Sequence, residues 1–95
     1  MRFVWDQDKN RRNLAKHKIS FDTARLVFED PLAVSRLERI VDGEERWQTM
    51  GLIGAVLVVL VAHTYHEDEG DAVMRIISAR KATSRERRQY EQNRQ

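Results

Sequence analysis

An unbroken apolar run at residues 55–62, ending in His63 and Thr64, constrains the fold more than any other stretch. Half of its eight apolar residues are valine, and Gly51 and Gly54 precede it. β-Branched residues are poor helix formers and suit the pleated surface of a strand. We therefore predict that residues 55–64 form the central strand of a small sheet, covered on both faces. The run is too short to span a membrane, which takes about 20 apolar residues. His63 and Thr64 are expected where the core meets solvent.

The flanking sequence predicts the element order β-α-α-β-β-β-β-α. Asp6 is a candidate N-cap for a helix that runs to about His17, and Ser20 for a second helix that runs to about Phe28. Thr83 and Glu86 have the spacing of a capping box, which opens a last helix ending at about Arg94. The other strands are predicted at residues 2–5, 32–38, 46–53 and 73–79, with turns at Asp42-Gly43 and residues 67–71.

These elements predict an α+β fold with a mostly antiparallel sheet and the helices on one side. The 95 residues are expected to form one domain, 1–95. Val73, Arg75, Ile77 and Ala79 would share one face of their strand. The face of the sheet without helices would be partly open, and we take it as the candidate site. There is no cysteine and no secretory signal, which is typical of a cytoplasmic protein.

The charge distribution is uneven although the net charge is only +2. Residues 29–45 carry six acidic side chains against two arginines, whereas residues 80–95 carry six basic side chains against two glutamates. A basic C-terminal segment indicates a polyanion or an acidic protein as partner. The alternative interpretation is a solvated helix face.

Several kinds of chemistry have no support in the sequence. His63 and His66 are three positions apart on a strand, so their rings would point to opposite faces, which does not suit a shared metal ion unless the chain turns there. No Gly-x-Ser-x-Gly motif is present, and no glycine-rich run precedes a helix. We therefore expect neither a metal nor another cofactor.

The remaining cations and imidazoles suit metal-independent cleavage of RNA. Attack of the ribose 2′-OH on its own phosphate needs proton transfer and cations that stabilise the developing charge. The candidate catalytic residues are His63, Arg75, Arg80 and Lys16. The candidate RNA-binding residues are Arg46, Trp47, Lys81 and Tyr90. Simpler roles stay open: His63 could bond a carbonyl at a sheet edge, Trp47 could belong to the core, and Arg80 and Lys81 could be solvated charges.

The chain resembles the BrnT family of toxins. The resemblance rests on FVWDxxKNxxNxxKH at residues 3–17, ISF at 19–21, VFxDP at 27–31, ERW at 45–47 and RIISARxATxxERxxY at 75–90. It implies a RelE-like fold and a ribonuclease of a type II toxin–antitoxin module. It also implies a ribbon-helix-helix antitoxin as partner, through which operator DNA is bound indirectly. Lys18 stands where the family usually has Gly, which would suit a left-handed turn. The alternative function is a non-catalytic interaction module or a DNA-binding partner in a repressor complex.

Overall fold

The computed structural model describes residues 1–93 and confirms the α+β class and the predicted order of elements. The predicted helix end at Arg94 lies outside these residues. The helices are α1 (Gln7–His17), α2 (Phe21–Ala24), which continues as a 3-10 turn (Arg25–Glu29), and α3 (Ser84–Gln92). The strands are β1 (Arg2–Val4), β2 (Val34–Val41), β3 (Glu44–Ile53), β4 (Leu57–Asp68) and β5 (Asp71–Lys81). None of the helices in this range is long and apolar enough to cross a membrane.

The predicted helix starts are confirmed by their side-chain caps. The Asp6 carboxylate accepts a hydrogen bond from the Lys9 N–H at 3.0 Å, and the Ser20 hydroxyl accepts one from the Thr23 N–H at 3.1 Å. At the end of α1, Lys18 adopts the left-handed conformation with φ of 63°, and its N–H donates to the Leu14 carbonyl. A lysine there thus takes the glycine-like geometry at a cost of about 1 kcal/mol.

The five strands form one sheet in the order β1-β5-β4-β3-β2. Strands β2 to β5 are an antiparallel meander, and β1 pairs in parallel with β5, so β4 is central as predicted. The predicted end of β4 is wrong. The strand continues to Asp68 because Glu69 and Gly70, both with positive φ, form a tight two-residue turn into β5. His63 and Thr64 are therefore 3% and 2% exposed, not at a solvent edge.

The sheet carries helices on both faces, and alternate residues of β4 serve each face. Val59 and Val61 pack against the α1 and α2 layer, in a core that includes Phe21 and Val27. Val58 and Leu60 pack instead with Tyr90 of α3. The predicted placement of helices on one side is thus correct for α1 and α2 but not for α3. Because the central strand is apolar on both faces, each face needs a cover.

Candidate functional site

Two β-bulges determine which side chains share the face of the sheet that carries α3. In β5 the extra residue is Ile77, which has no partner in the register with β4. Strict alternation would put Arg75 and Arg80, five positions apart, on opposite faces. One extra residue between them reverses the alternation and puts them on the same face. The predicted grouping of Arg75 with Ile77 and Ala79 is therefore wrong, since the bulge breaks it.

A second bulge does the same in β2. Glu38 is the extra residue, because Leu37 pairs with Trp47 and Arg39 already pairs with Arg46. Arg36 and Arg39 are thereby brought to the face of Arg46. Sequence reasoning did not nominate these two arginines, and no local signal marks the bulge, because a bulge depends on pairing with the neighbouring strand.

The result is a cluster that we call the arginine face, made of Arg36, Arg39, Arg46, Arg75 and Arg80. Arg39, Arg46 and Arg80 line a cleft of about 220 Å³, which we call the arginine cleft. Its wall also contains the polar residues Gln48 and Ser78. Glu38, Glu44 and Glu86 lie at or beside this face, so the cluster keeps an excess of two positive charges.

Two of the arginines share one glutamate, Glu44, at the start of β3. Arg75 lies 2.7 Å from the Glu44 carboxylate, and Arg46 lies 3.3 Å from the same carboxylate. Arg39 forms no ion pair within residues 1–93. Arg36 also has no carboxylate partner in this range and donates instead to the Gln48 side chain at 3.1 Å. The face thus combines paired and unpaired guanidinium groups, which is the kind of surface that binds phosphate oxygens.

Arg80 makes the strongest ion pair of the face. Its two terminal nitrogens donate to the two oxygens of Glu86 at 2.8 and 3.0 Å. Glu86 also accepts from the Thr83 N–H and completes the predicted capping box of α3. The hydrogen bonds from Arg80 lower the pKa of Glu86 to about 2, and the same pairing raises the pKa of Arg80. Arg80 therefore joins the start of α3 to the sheet.

His63 is among the residues that line the arginine cleft, but its ring lies on the other side of the sheet, against Thr49 and Phe28. Its Nε2 is 2.7 Å from the Thr49 hydroxyl, and its Nδ1 is 3.2 Å from the Thr64 carbonyl oxygen. The ring also meets Phe28 edge-on, with centroids 4.9 Å apart. Because the carbonyl can only accept, Nδ1 carries the proton and Nε2 accepts from Thr49. Burial lowers the pKa of His63, so the imidazole is neutral at pH 7.

His66 is the imidazole on the arginine side. It follows Thr64 by two residues on β4, and Thr64 is paired with both Arg46 and Arg75. The ring is exposed to solvent. The two histidines thus point to opposite faces, as their spacing predicts. Within residues 1–93 no three His, Asp or Glu side chains form a group that could hold a metal ion.

The structure separates the remaining candidate residues from the arginine face. Trp47 pairs with His63, on the face of the sheet that packs against α1 and α2, and is partly buried. Tyr90 is 1% exposed and its hydroxyl donates to Asp30, so its expected role as a stacking surface is wrong; it is a core residue. Lys81 is exposed at the end of β5, on the face opposite Arg80. Lys16 is exposed on α1.

The fold and the arginine face together define a small α+β protein with a cationic surface on its sheet. A family profile described as ribonuclease toxin BrnT, of type II toxin–antitoxin systems, matches residues 5–86. The chain therefore belongs to the BrnT family of ribonuclease toxins. It is similar to the crystal structure of the Brucella abortus ribonuclease toxin BrnT, with 26% sequence identity and a TM-score of 0.64. The match covers 88% of this chain and 99% of the Brucella chain. The comparison with curated protein sequences finds no match.

Proposed function

We propose that this chain is a single-domain endoribonuclease that cuts RNA by attack of a ribose 2′-OH on the adjacent phosphate, without a metal ion. The observation that carries the proposal is the arginine face, which two bulges assemble from separate strands. Arginine forks bind phosphate oxygens in bidentate fashion and stabilise the charge that develops on a phosphorane. Guanidinium groups supply positive charge there that a metal would otherwise provide.

Arg46, Arg75 and Arg80 hold the scissile phosphate in this proposal. Arg75 and Arg46 exchange the Glu44 carboxylate for phosphate oxygens when RNA binds. His66 is the residue we assign to proton transfer, because its exposed ring shares their face and histidine is the side chain that most often acts as a general acid or base. The catalytic roles of His63 and Lys16 stay predictions, since neither side chain is with the arginines.

The partner in this proposal is a ribbon-helix-helix antitoxin in the cytoplasm, which keeps the toxin inactive and binds the operator. The family resemblance supports this assignment. An antitoxin that inhibits directly would present carboxylates to the arginine face, because opposite charges steer association and compete with RNA. Co-expression of a candidate antitoxin is expected to restore growth of cells that express the toxin.

RNA cleavage in EDTA tests the mechanism. The wild-type protein is expected to leave 2′,3′-cyclic phosphate ends, whereas a metal enzyme would lose its activity on chelation. Arg46→Gln and Arg75→Gln are each expected to lower kcat/KM by about tenfold or more, the scale of one lost charge-assisted contact. Arg11→Gln is the matched control, because Arg11 pairs with Asp8 on α1 and does not line the arginine cleft. Wild-type rates in both site variants would remove the arginine face from the mechanism.

A non-catalytic interaction module is the second candidate function. It is favoured by one observation: Arg75 and Arg80 are already paired with glutamates of this chain. Such pairs are also found on surfaces that only bind a protein partner. Expression in a bacterial host separates the candidates, since harmless expression of folded protein favours a module and growth arrest favours the ribonuclease.

A further inference from the structure

A second cleft lies beside the arginine cleft, across the edge of β5. It has a volume of about 370 Å³. Its lining residues are Lys9, Arg12, Asn13, Lys16, His17, Ile77 and Ser78. We call it the α1 cleft. Ile77 and Ser78 line both clefts, so the bulge of β5 is their common wall.

The cations of the α1 cleft share one face of a helix. Lys9, Arg12 and Lys16 are spaced by three and four residues, which places them on one side of α1 over about 10 Å. None of the three forms an ion pair within residues 1–93. The one acidic residue within α1, Asp8, is paired with Arg11 outside the cleft. The lining of the cleft contains no acidic side chain.

This cationic face is held in a fixed position relative to the arginine cleft. The buried Asn13 amide donates to the Ala79 and Ile19 carbonyls at 2.9 Å and accepts from the Ala79 N–H at 3.1 Å. The asparagine therefore ties α1 directly to β5, next to the shared wall.

We propose that the α1 cleft binds the phosphate backbone of the RNA segment that flanks the cut site, as an extension of the arginine cleft. A strand leaving the arginine cleft crosses β5 at Ile77 and Ser78 and meets Lys9, Arg12 and Lys16. Backbone charges lie about 3.4 Å apart along each strand of a duplex, so a 10 Å face has room for more than one phosphate. The inference rests on the proposed ribonuclease function and assigns Lys16 to substrate binding.

The salt dependence of RNA binding tests this inference. The probe is a fluorescent single-stranded RNA that covers both clefts, with 2′-O-methyl groups that block cutting. The Lys9→Gln, Arg12→Gln, Lys16→Gln triple variant is compared with an Arg11→Gln, Arg25→Gln, Arg87→Gln triple variant. The control removes the same charge from exposed ion pairs outside both clefts.

For a single strand, the slope of log Kobs against log salt changes by about 0.7 for each phosphate contact. The cleft variant is therefore expected to have a slope about 2 units shallower than the control, measured from about 50 to 200 mM salt. Its KM for a dinucleotide, which fills only the arginine cleft, is expected to equal that of the control. Equal slopes in the two triple variants would overturn the inference.

The two proposals fail separately. If wild-type protein cuts RNA in EDTA and the slopes agree, the ribonuclease stands and the α1 cleft is a solvated surface. If wild-type protein cuts no RNA, the proposed function fails, whatever the slopes are. All six substituted side chains are exposed or partly exposed, so both triple variants are expected to fold. Circular dichroism shows whether their helices are intact.

Discussion

The ion pair between Arg80 and Glu86 is the contact whose loss is most closely defined by the geometry. The pKa of Glu86 falls from 4.5 to about 2 in the folded protein. A shift of that size corresponds to about 3 kcal/mol, at 1.36 kcal/mol per pKa unit. Hydrogen bonds with Thr83 cause part of the shift, and the Arg80 side chain is 36% exposed and that of Glu86 15%. The contribution of the pair itself is therefore reduced to about 1–2 kcal/mol.

A double-mutant cycle measures this coupling. The variants are Arg80→Gln, Glu86→Gln and the two combined, with the free energy of unfolding taken from urea titrations at pH 7. Gln at position 86 can still accept from the Thr83 N–H, so the capping box survives. We expect a coupling energy of about 1–2 kcal/mol, against about 0.3–0.5 kcal/mol for the exposed control pair Arg87–Glu91 on the same helix.

The pH dependence of the coupling gives a second measurement. Glu86 has a lowered pKa in the folded protein, so its stabilisation is complete above the ordinary pKa of 4.5 and is lost as the pH falls towards about 2. A coupling no larger than that of the control pair, or one unchanged at low pH, would refute the reasoning. Because Glu86 and a phosphate compete for one guanidinium, Glu86→Gln is also expected to tighten RNA binding.

Three further predictions concern stability. Burial lowers the pKa of His63, so the neutral ring stabilises the fold fully above its ordinary pKa of 6.5, and this stability is lost as the pH falls below that value. Between pH 6.5 and 5 the free energy of unfolding should therefore fall less in His63→Gln than in wild type. Gly51→Ala should lower the free energy of unfolding in urea by about 1–3 kcal/mol, because the new Cβ would lie 2.7 Å from the Val27 carbonyl oxygen. An unchanged urea midpoint would contradict that contact. Lys18→Gly should raise the thermal midpoint by the equivalent of about 1 kcal/mol, since it relieves a positive φ; a lowered midpoint would show that Lys18 is not strained.

Local signals predicted the helices well. Asp6, Ser20 and Thr83 cap the three helices at the predicted positions, because a cap is a contact between residues three apart in the sequence. The ends of the strands were predicted less well, since strand length depends on pairing. The candidate site was partly predicted: Arg46, Arg75 and Arg80 lie on one face, whereas Tyr90 is in the core.

The roles of the buried aromatic and imidazole groups could not be predicted, because burial is a property of the packed chain. Tyr90 is the single large apolar side chain of a polar helix, which is compatible with a stacking surface as well as with an anchor. Tyr90 anchors the helix because its ring packs on Val58 and Leu60, which form an apolar surface on the second face of β4. His63 is neutralised for a similar reason, by its position against Phe28.

Patterns within short stretches of the sequence are enough to predict the elements, their order, the central position of β4 and the family. The membership of the arginine face, by contrast, depends on how the strands pair. Arg36 and Arg39, like Arg75 and Arg80, are separated by an odd number of positions, and regular strands would divide each pair between two faces. The extra residues Glu38 and Ile77 bring them together, and a bulge exists only when a neighbouring strand fixes the register.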